Sequence, residues 1–209
     1  MRSYDEYCAI AKSLDVVGDR WTLLIVRELL LRGASRYTDV RNGLPGIATN
    51  LLAERLRELE QADLVRREDA PPPIATAVFT LTDRGRALVP VLDELGRWGI
   101  PYMVAGPAPD DAFRAHWLAW PARIFLSDHD PGGPPLRIGL HLEGDDAVLE
   151  SNHGEITVRA GRASDAAAVL SGPAYAILGV LTGRADLERA ADLGLTHSGD
   201  VQALRRLLP

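Results

Sequence analysis

Cysteine is almost missing from these 209 residues; Cys8 stands alone. One thiol cannot build an internal disulfide framework, which points to a reducing compartment. Long apolar runs are missing too. No window holds about 18 uninterrupted apolar residues, so no membrane span is expected. The opening Met1-Arg-Ser-Tyr-Asp-Glu6 sets two acids before any apolar stretch, against a secretory leader. Enzyme signatures are absent: there is no Gly-x-Ser-x-Gly, no P-loop and no dinucleotide fingerprint. Asp128, His129 and Asp130 cluster in a Pro/Gly-rich stretch without an obvious nucleophile. The five histidines, His116, His129, His141, His153 and His197, never share metal-ligand spacing on one element. No metal, cofactor or catalysis is therefore expected, and no internal repeat appears.

What is present is an ordinary globular mixture, 46% apolar and 25% charged. The net charge is -6, and it is uneven. Residues 1–104 hold 14 Lys/Arg against 15 Asp/Glu, and residues 105–209 hold 9 against 14. An acidic total argues against nucleic acid only on average, because local patches decide binding. Pro107 and Pro109 interrupt the helical pattern between the two halves. The expected organisation is a domain at 1–104, a linker at 105–111 and a second domain at 112–209.

The first part reads as helices and one ribbon. Tyr7, Ile10, Ala11 and Leu14 have helical spacing and stop before Gly18. Trp21, Leu24, Ile25, Leu29 and Leu30 give a second amphipathic helix ending at Gly33. Tyr37, Val40 and Leu44 mark a short third helix, closed by Gly43 and the Pro45-Gly46 turn. Leu52, Leu56 and Leu59 form one buried stripe at i, i+4, i+7. Leu64 to Asp69 and Ala77 to Leu81 read as two strands around Ala70-Pro-Pro-Pro73, which suits only a loop. A long helix is expected from Thr82-Asp83 through Leu88, Leu92, Leu95 and Trp98, kinked at Pro90.

Short helix, Pro-Gly turn, amphipathic helix and ribbon together make a helix-turn-helix with a wing. Such a motif needs a helix that buries one face and offers the other to a major groove. Opposite the leucine stripe lie Asn50, Ala53, Glu54, Arg57 and Gln61, with Thr49 in the first turn. Asn50 can read adenine, Arg57 guanine or a phosphate, and Glu54 cytosine N4. Arg55 lies on the flank and can grip phosphate or pair with an acid of its own domain. Arg66 and Arg67 are placed for phosphate at the base of the ribbon. The uncharged wing tip, Pro71 to Ala75, cannot add much salt-dependent affinity.

These stretches resemble the HxlR-type family of bacterial winged-helix regulators. The resemblance rests on Cys8, Leu14-Asp-Val-Val-Gly-Asp-Arg-Trp21, Arg36-Tyr-Thr-Asp-Val40, Leu44-Pro-Gly-Ile47, Leu52 to Glu60, Leu64-Val-Arg66, Phe79-Thr-Leu-Thr-Asp-Arg-Gly85, Leu88 to Leu92 and Trp98-Gly99. It spans residues 8 to 103. It implies a homodimer formed by the first and last helices, bound to a double-stranded operator with inverted repeats. It also implies a cytoplasmic, nucleoid-associated protein. The family usually has proline after the cysteine, where this chain has Ala9, and a basic wing where this chain has proline and alanine. In some relatives a cysteine at this place senses oxidants, so Cys8 is a redox candidate. The alternative is a buried small residue, and Lys12 is the obvious local group to lower its pKa.

The second part reads as mixed helix and strand. A helix is expected at Asp111–Leu118, and strands at Arg123–Leu126 and Leu136–Leu142. The turns Gly144-Asp-Asp146 and Asn152-His-Gly154 continue an antiparallel meander through Arg159. Helices are expected at Asp165–Leu170, Pro173–Leu181, Ala185–Leu193 and Val201–Leu208. The cadence over 136–208 resembles the C-terminal half of sterol-carrier-type domains, which hold apolar molecules between a sheet and helices. Trp117, Trp120, Phe125, Tyr175, Ile177 and Leu181 are candidate walls for a small apolar or aromatic effector, although pockets and cores use the same side chains.

The expected fold class is α+β, a winged helix-turn-helix domain followed by a sterol-carrier-like α/β sandwich. The expected function is sequence-specific transcription regulation tuned by a small effector. The competing reading is an apolar-ligand carrier or catalytic module whose helical half only dimerises.

Overall fold

The computed structural model describes residues 3–69, 76–103, 106–108 and 110–209. The chain divides into two units, 1–104 and 105–209. The expected wing tip, 71–75, and Ala105 and Pro109 of the expected linker lie outside the described residues.

The first unit runs α1 (Ala9–Val17), α2 (Thr22–Arg32), β1 (Ser35–Arg36), α3 (Tyr37–Asn42), α4 (Thr49–Gln61), β2 (Val65–Asp69), β3 (Ala77–Leu81), α5 (Asp83–Arg86) and α6 (Val89–Gly99). A 3-10 turn at Ile100–Met103 follows. The leucine stripe of α4 is buried as its spacing predicts, with Leu52, Leu56 and Leu59 at most 2% exposed. It packs into one core with Ile25, Val26 and Leu29 of α2, Val40 of α3, and Phe79 and Leu81 of β3. The strands form an antiparallel sheet in the order β1-β3-β2. Val65 pairs with Leu81 and Arg67 with Phe79. β1 was not legible, because two residues carry no alternation.

The long kinked helix is not found. Thr82 accepts a hydrogen bond from the Gly85 backbone and caps the separate α5, and α6 begins at Val89. Pro90 sits in the first turn of α6, where its missing N–H has no intrahelical partner to lose. Proline therefore starts a helix here rather than bending one.

The second unit opens with a 3-10 turn at Ala115–Leu118 and α7 (Ala119–Phe125). Next come β4 (Leu136–Leu142), β5 (Asp145–Asn152), β6 (Glu155–Ala160), β7 (Ala168–Ser171), α8 (Ala174–Leu181), α9 (Leu187–Asp192), β8 (Thr196–Gly199) and α10 (Val201–Leu207). The sheet order is β6-β5-β4-β7-β8. Every pairing is antiparallel except β4 with β7, which is parallel. Inward residues of the strands, among them Ile138, Leu140, Leu149 and Leu170, join Leu118, Ala122, Ile177, Leu181, Leu204 and Leu207 in a single core. The helices thus cover one face. The other face carries ion pairs such as Arg137 to Glu150 and Arg162 to Asp146.

Three local expectations are corrected, and one strand had not been expected. Residues 123–126 are the end of α7 and its cap, not a strand. The helix expected at 111–118 shrinks to the 3-10 turn, and the Ala115 N–H donates to Asp145 at 2.8 Å. The helix expected at 165–170 gives way to β7, whose Ala168 and Leu170 align with Ile138 and Leu140. An alanine-rich segment favours helix locally, and pairing along β4 overrides that preference. β8 was unforeseen, because all four residues of this edge strand are exposed and show no alternation.

A polar staple fixes the loop after α7. Arg206 of α10 donates two hydrogen bonds to the Asp128 carboxylate, at 2.7 and 2.8 Å, and the Ser151 hydroxyl donates a third. The Asp128 side chain is 1% exposed. The Arg206 guanidinium holds its carboxyl well below the usual carboxylate range. Among the described residues, no helix is long and apolar enough to cross a membrane.

Candidate nucleic-acid interface

α4 begins after Ala48, whose extended backbone lets the chain turn out of the Pro45-Gly46 corner. No acid lies in its first turn. Its N-terminal amides therefore offer an uncompensated positive end to a phosphate. The Tyr37 hydroxyl donates to the Thr49 carbonyl at 2.7 Å, which ties α3 to the start of α4. Thr49, Asn50, Glu54, Arg57 and Gln61 are exposed and Ala53 is half-buried. The structure therefore places Asn50, Glu54, Arg57 and Gln61 together opposite the leucine stripe, with Ala53 beside them and Thr49 in the first turn on the flank. The Arg57 Nε donates to the Ala53 carbonyl at 3.2 Å, so its guanidinium lies along the outer face of the helix. Arg55 faces elsewhere. It pairs with Asp19 at 2.6 Å and with Glu58 of its own helix.

Arg66 and Arg67 are both exposed on β2. Neighbouring residues of a strand leave it on opposite faces, yet both side chains border one cleft at the base of the ribbon. Arg66 pairs with Glu68 at 2.6 Å. An open cleft of about 520 Å³ lies at the base of the ribbon, lined by Arg66, Arg67, Arg84 and Arg86 with Glu60, Asp63 and Asp83. The sequence reading did not single out Arg84 and Arg86. Their signal was the run Thr82-Asp-Arg-Gly-Arg86 directly after the returning strand. Arg86 is occupied by Asp83 and the Leu81 carbonyl.

Cys8 is exposed and occupies the N-cap position of α1. It is thus not the buried small residue weighed as an alternative. The backbone N–H groups of Ala11 and Ile10 hold its thiol below the ordinary value. The cause is the helix terminus and not Lys12, which reaches toward Asp15. Beside Cys8, the apolar residues Tyr4, Tyr7, Ile10 and Leu14 are exposed, and so are Val91, Leu95, Trp98, Tyr102 and Met103 at the other end of the unit.

In the second unit the six candidate wall residues separate. Trp120 and Phe125 meet edge to face, 6.2 Å between ring centres, and Trp117 packs on Phe113 at 5.8 Å. Ile177 and Leu181 are fully buried core residues. Tyr175 is exposed, with its hydroxyl donating to the Leu193 carbonyl at 3.2 Å. No group of three or more His, Cys, Asp or Glu suited to a metal occurs among the described residues.

Comparison with known proteins bears on the first unit. Residues 16–106 match the HxlR-like helix-turn-helix family. The HTH-type transcriptional regulator YvaP of Bacillus subtilis is 36% identical over 92 residues, 44% of this chain and 84% of that protein. The chain belongs to the HxlR-like family. A second relative, the HTH-type transcriptional regulator YodB of Bacillus subtilis, is 34% identical over 94 residues, 45% of this chain and 83% of that one. The crystal structure of reduced YodB covers 49% of this chain and all of its own, at 33% identity and a TM-score of 0.42. The HxlR-like match ends at residue 106 and leaves the second unit uncovered.

Proposed function

We propose that this HxlR-like chain is a homodimeric, sequence-specific DNA-binding regulator of transcription, with a second unit that senses a small apolar or aromatic effector. The observation that carries the DNA reading is the outer face of α4, which keeps Thr49, Asn50, Glu54 and Arg57 polar and exposed over a fully buried leucine stripe. A helix serving dimerisation alone would have no use for that chemistry. Asn50 and Arg57 read base edges, and Arg66 and Arg67 contact phosphates at the base of the ribbon. The exposed apolar residues of α1 and α6 form the two-fold contact, so the operator is an inverted repeat.

The effector reading rests on the second unit's build, one sheet face covered by helices, with Trp117, Trp120 and Phe125 only half-buried. Because Ile177 and Leu181 fill the space between sheet and helices, an effector enters by displacing that packing. Cys8 adds a second input. YodB has been solved in a quinone-bound form, and the exposed Cys8 thiol of this chain carries the lowered pKa that reaction with such an electrophile needs.

The test is a gel shift of duplex fragments flanking the protein's own gene, followed by footprinting. A protected inverted repeat with half-sites about 34–36 Å apart, or a multiple, is expected. Equal binding to every fragment would leave only a non-specific cation surface.

A further inference from the structure

The turn between α1 and α2 is joined to the recognition helix in a way that DNA contact alone does not explain. α1 is anchored mainly at its C-terminal end: Ala11 is its one buried residue and Val16 and Val17 pack half-buried on the core, while Ile10 and Leu14 stand exposed. After α1 the chain passes through Gly18, Asp19, Arg20 and Trp21 before α2 starts. Trp21 holds a left-handed backbone, with φ at 80°. That conformation is costly for a bulky residue and persists only where the surroundings enforce it.

Two contacts tie this turn to the helix-turn-helix. The Trp21 ring reaches the helix-turn-helix corner, where a methyl group on Gly46 would lie 4.0 Å from it. The Asp19 carboxylate accepts from Arg55 of α4 at 2.6 Å. Arg55 is 15% exposed at its side chain and faces this turn rather than solvent. Its Nε is buried without a hydrogen-bond partner, so the pair with Asp19 and Glu58 carries the charge of the group.

We propose that Asp19 and Arg55 are a positioning pair: they fix the tilt of α4 against the end of α1, so a displacement of α1 changes operator affinity without touching any group that meets DNA. The inference rests on the DNA-binding reading of α4. Its sign separates it from simple charge effects. Asp19 is an exposed acid on the DNA-binding unit, so if it did nothing but repel phosphates, its removal would strengthen binding to every duplex. As a positioning residue, its removal weakens the operator complex alone.

The experiment uses the full chain and its variants Asp19→Ala, Asp19→Glu, Arg55→Ala and the double variant Asp19→Ala/Arg55→Ala. Fluorescence anisotropy reads affinity for the operator and for a shuffled duplex, and thermal unfolding reads stability. Asp19→Ala is expected to weaken operator binding about two- to fivefold, the scale of a partly exposed ion pair. Shuffled duplex should bind the variant as well as or better than wild type, with the unfolding midpoint nearly unchanged. Asp19→Glu should recover part of the loss. Adding Asp19→Ala to Arg55→Ala should cost little more, because the shared interaction is already gone. Equal or tighter operator binding by Asp19→Ala overturns the proposal, as does a loss that is the same on both duplexes. If wild type itself prefers no duplex, the DNA-binding reading fails first and this one with it.

Discussion

At the scale of single residues, two exposed side chains, Arg57 and Cys8, have distinct and separable roles to test. Arg57 lies opposite the buried stripe, so Arg57→Ala creates no cavity and should leave the unfolding midpoint in place. If it reads a guanine, operator affinity falls by about 1–3 kcal/mol, concentrated at one base position. Titration against single-base operator variants checks this, and a uniform loss across them would make Arg57 a phosphate contact. Cys8 gives a chemical prediction. Its thiol is held low by backbone N–H groups at the start of α1, and the thiolate is the reacting form. The rate of alkylation by iodoacetamide should therefore reach its plateau at lower pH than for an unstructured cysteine peptide. A midpoint at or above the peptide's value would remove the helix terminus as an activating feature.

At the scale of elements, the sequence was most legible where one periodicity dominates. The stripe Leu52, Leu56, Leu59 is buried as its spacing implies, and the exposed face proposed to meet DNA follows from it by exclusion. The ribbon was legible because prolines mark its turn. Legibility failed where tertiary pairing outweighs local preference. Ala166-Ala-Ala168 looks helical until β4 offers a parallel partner, and Thr196–Gly199 is a strand only because β7 pairs with it. The Asp19 to Arg55 contact spans 36 positions and left no local trace beyond an acid in a turn. The same holds for the staple on Asp128, 78 positions from Arg206. Removing one partner of a nearly buried pair leaves a charge without compensation. Asp128→Ala should thus destabilise the second unit by about 3 kcal/mol in urea unfolding. Its carboxyl is depressed in the folded state, so the stability it contributes is complete above the unfolded carboxylate value of about 3.9. That contribution is lost as pH falls below this value toward the lower folded one. The acid-unfolding midpoint of wild type should therefore lie below that of Asp128→Asn. Coincident midpoints would show that the staple adds nothing.

At the scale of the whole molecule, the proposed two-fold contact would cover the exposed apolar side chains of α1 and α6, beside Trp98 and Tyr102, whose tilted rings lie 5.1 Å apart. Light scattering should find a dimer at micromolar concentration, and a stable monomer there would contradict the inverted-repeat operator. A chain cut at Pro107 should keep operator binding if the first unit reads DNA, and should lose any response to apolar compounds that the full chain shows. Retention of that response would place the effector outside the second unit. The most direct measurement is a competition titration of the full chain between its operator fragment and a shuffled duplex of equal length at fixed salt. The account predicts a preference of at least about a thousandfold, with non-specific affinity falling steeply as salt rises. Equal affinity for the two duplexes would contradict it.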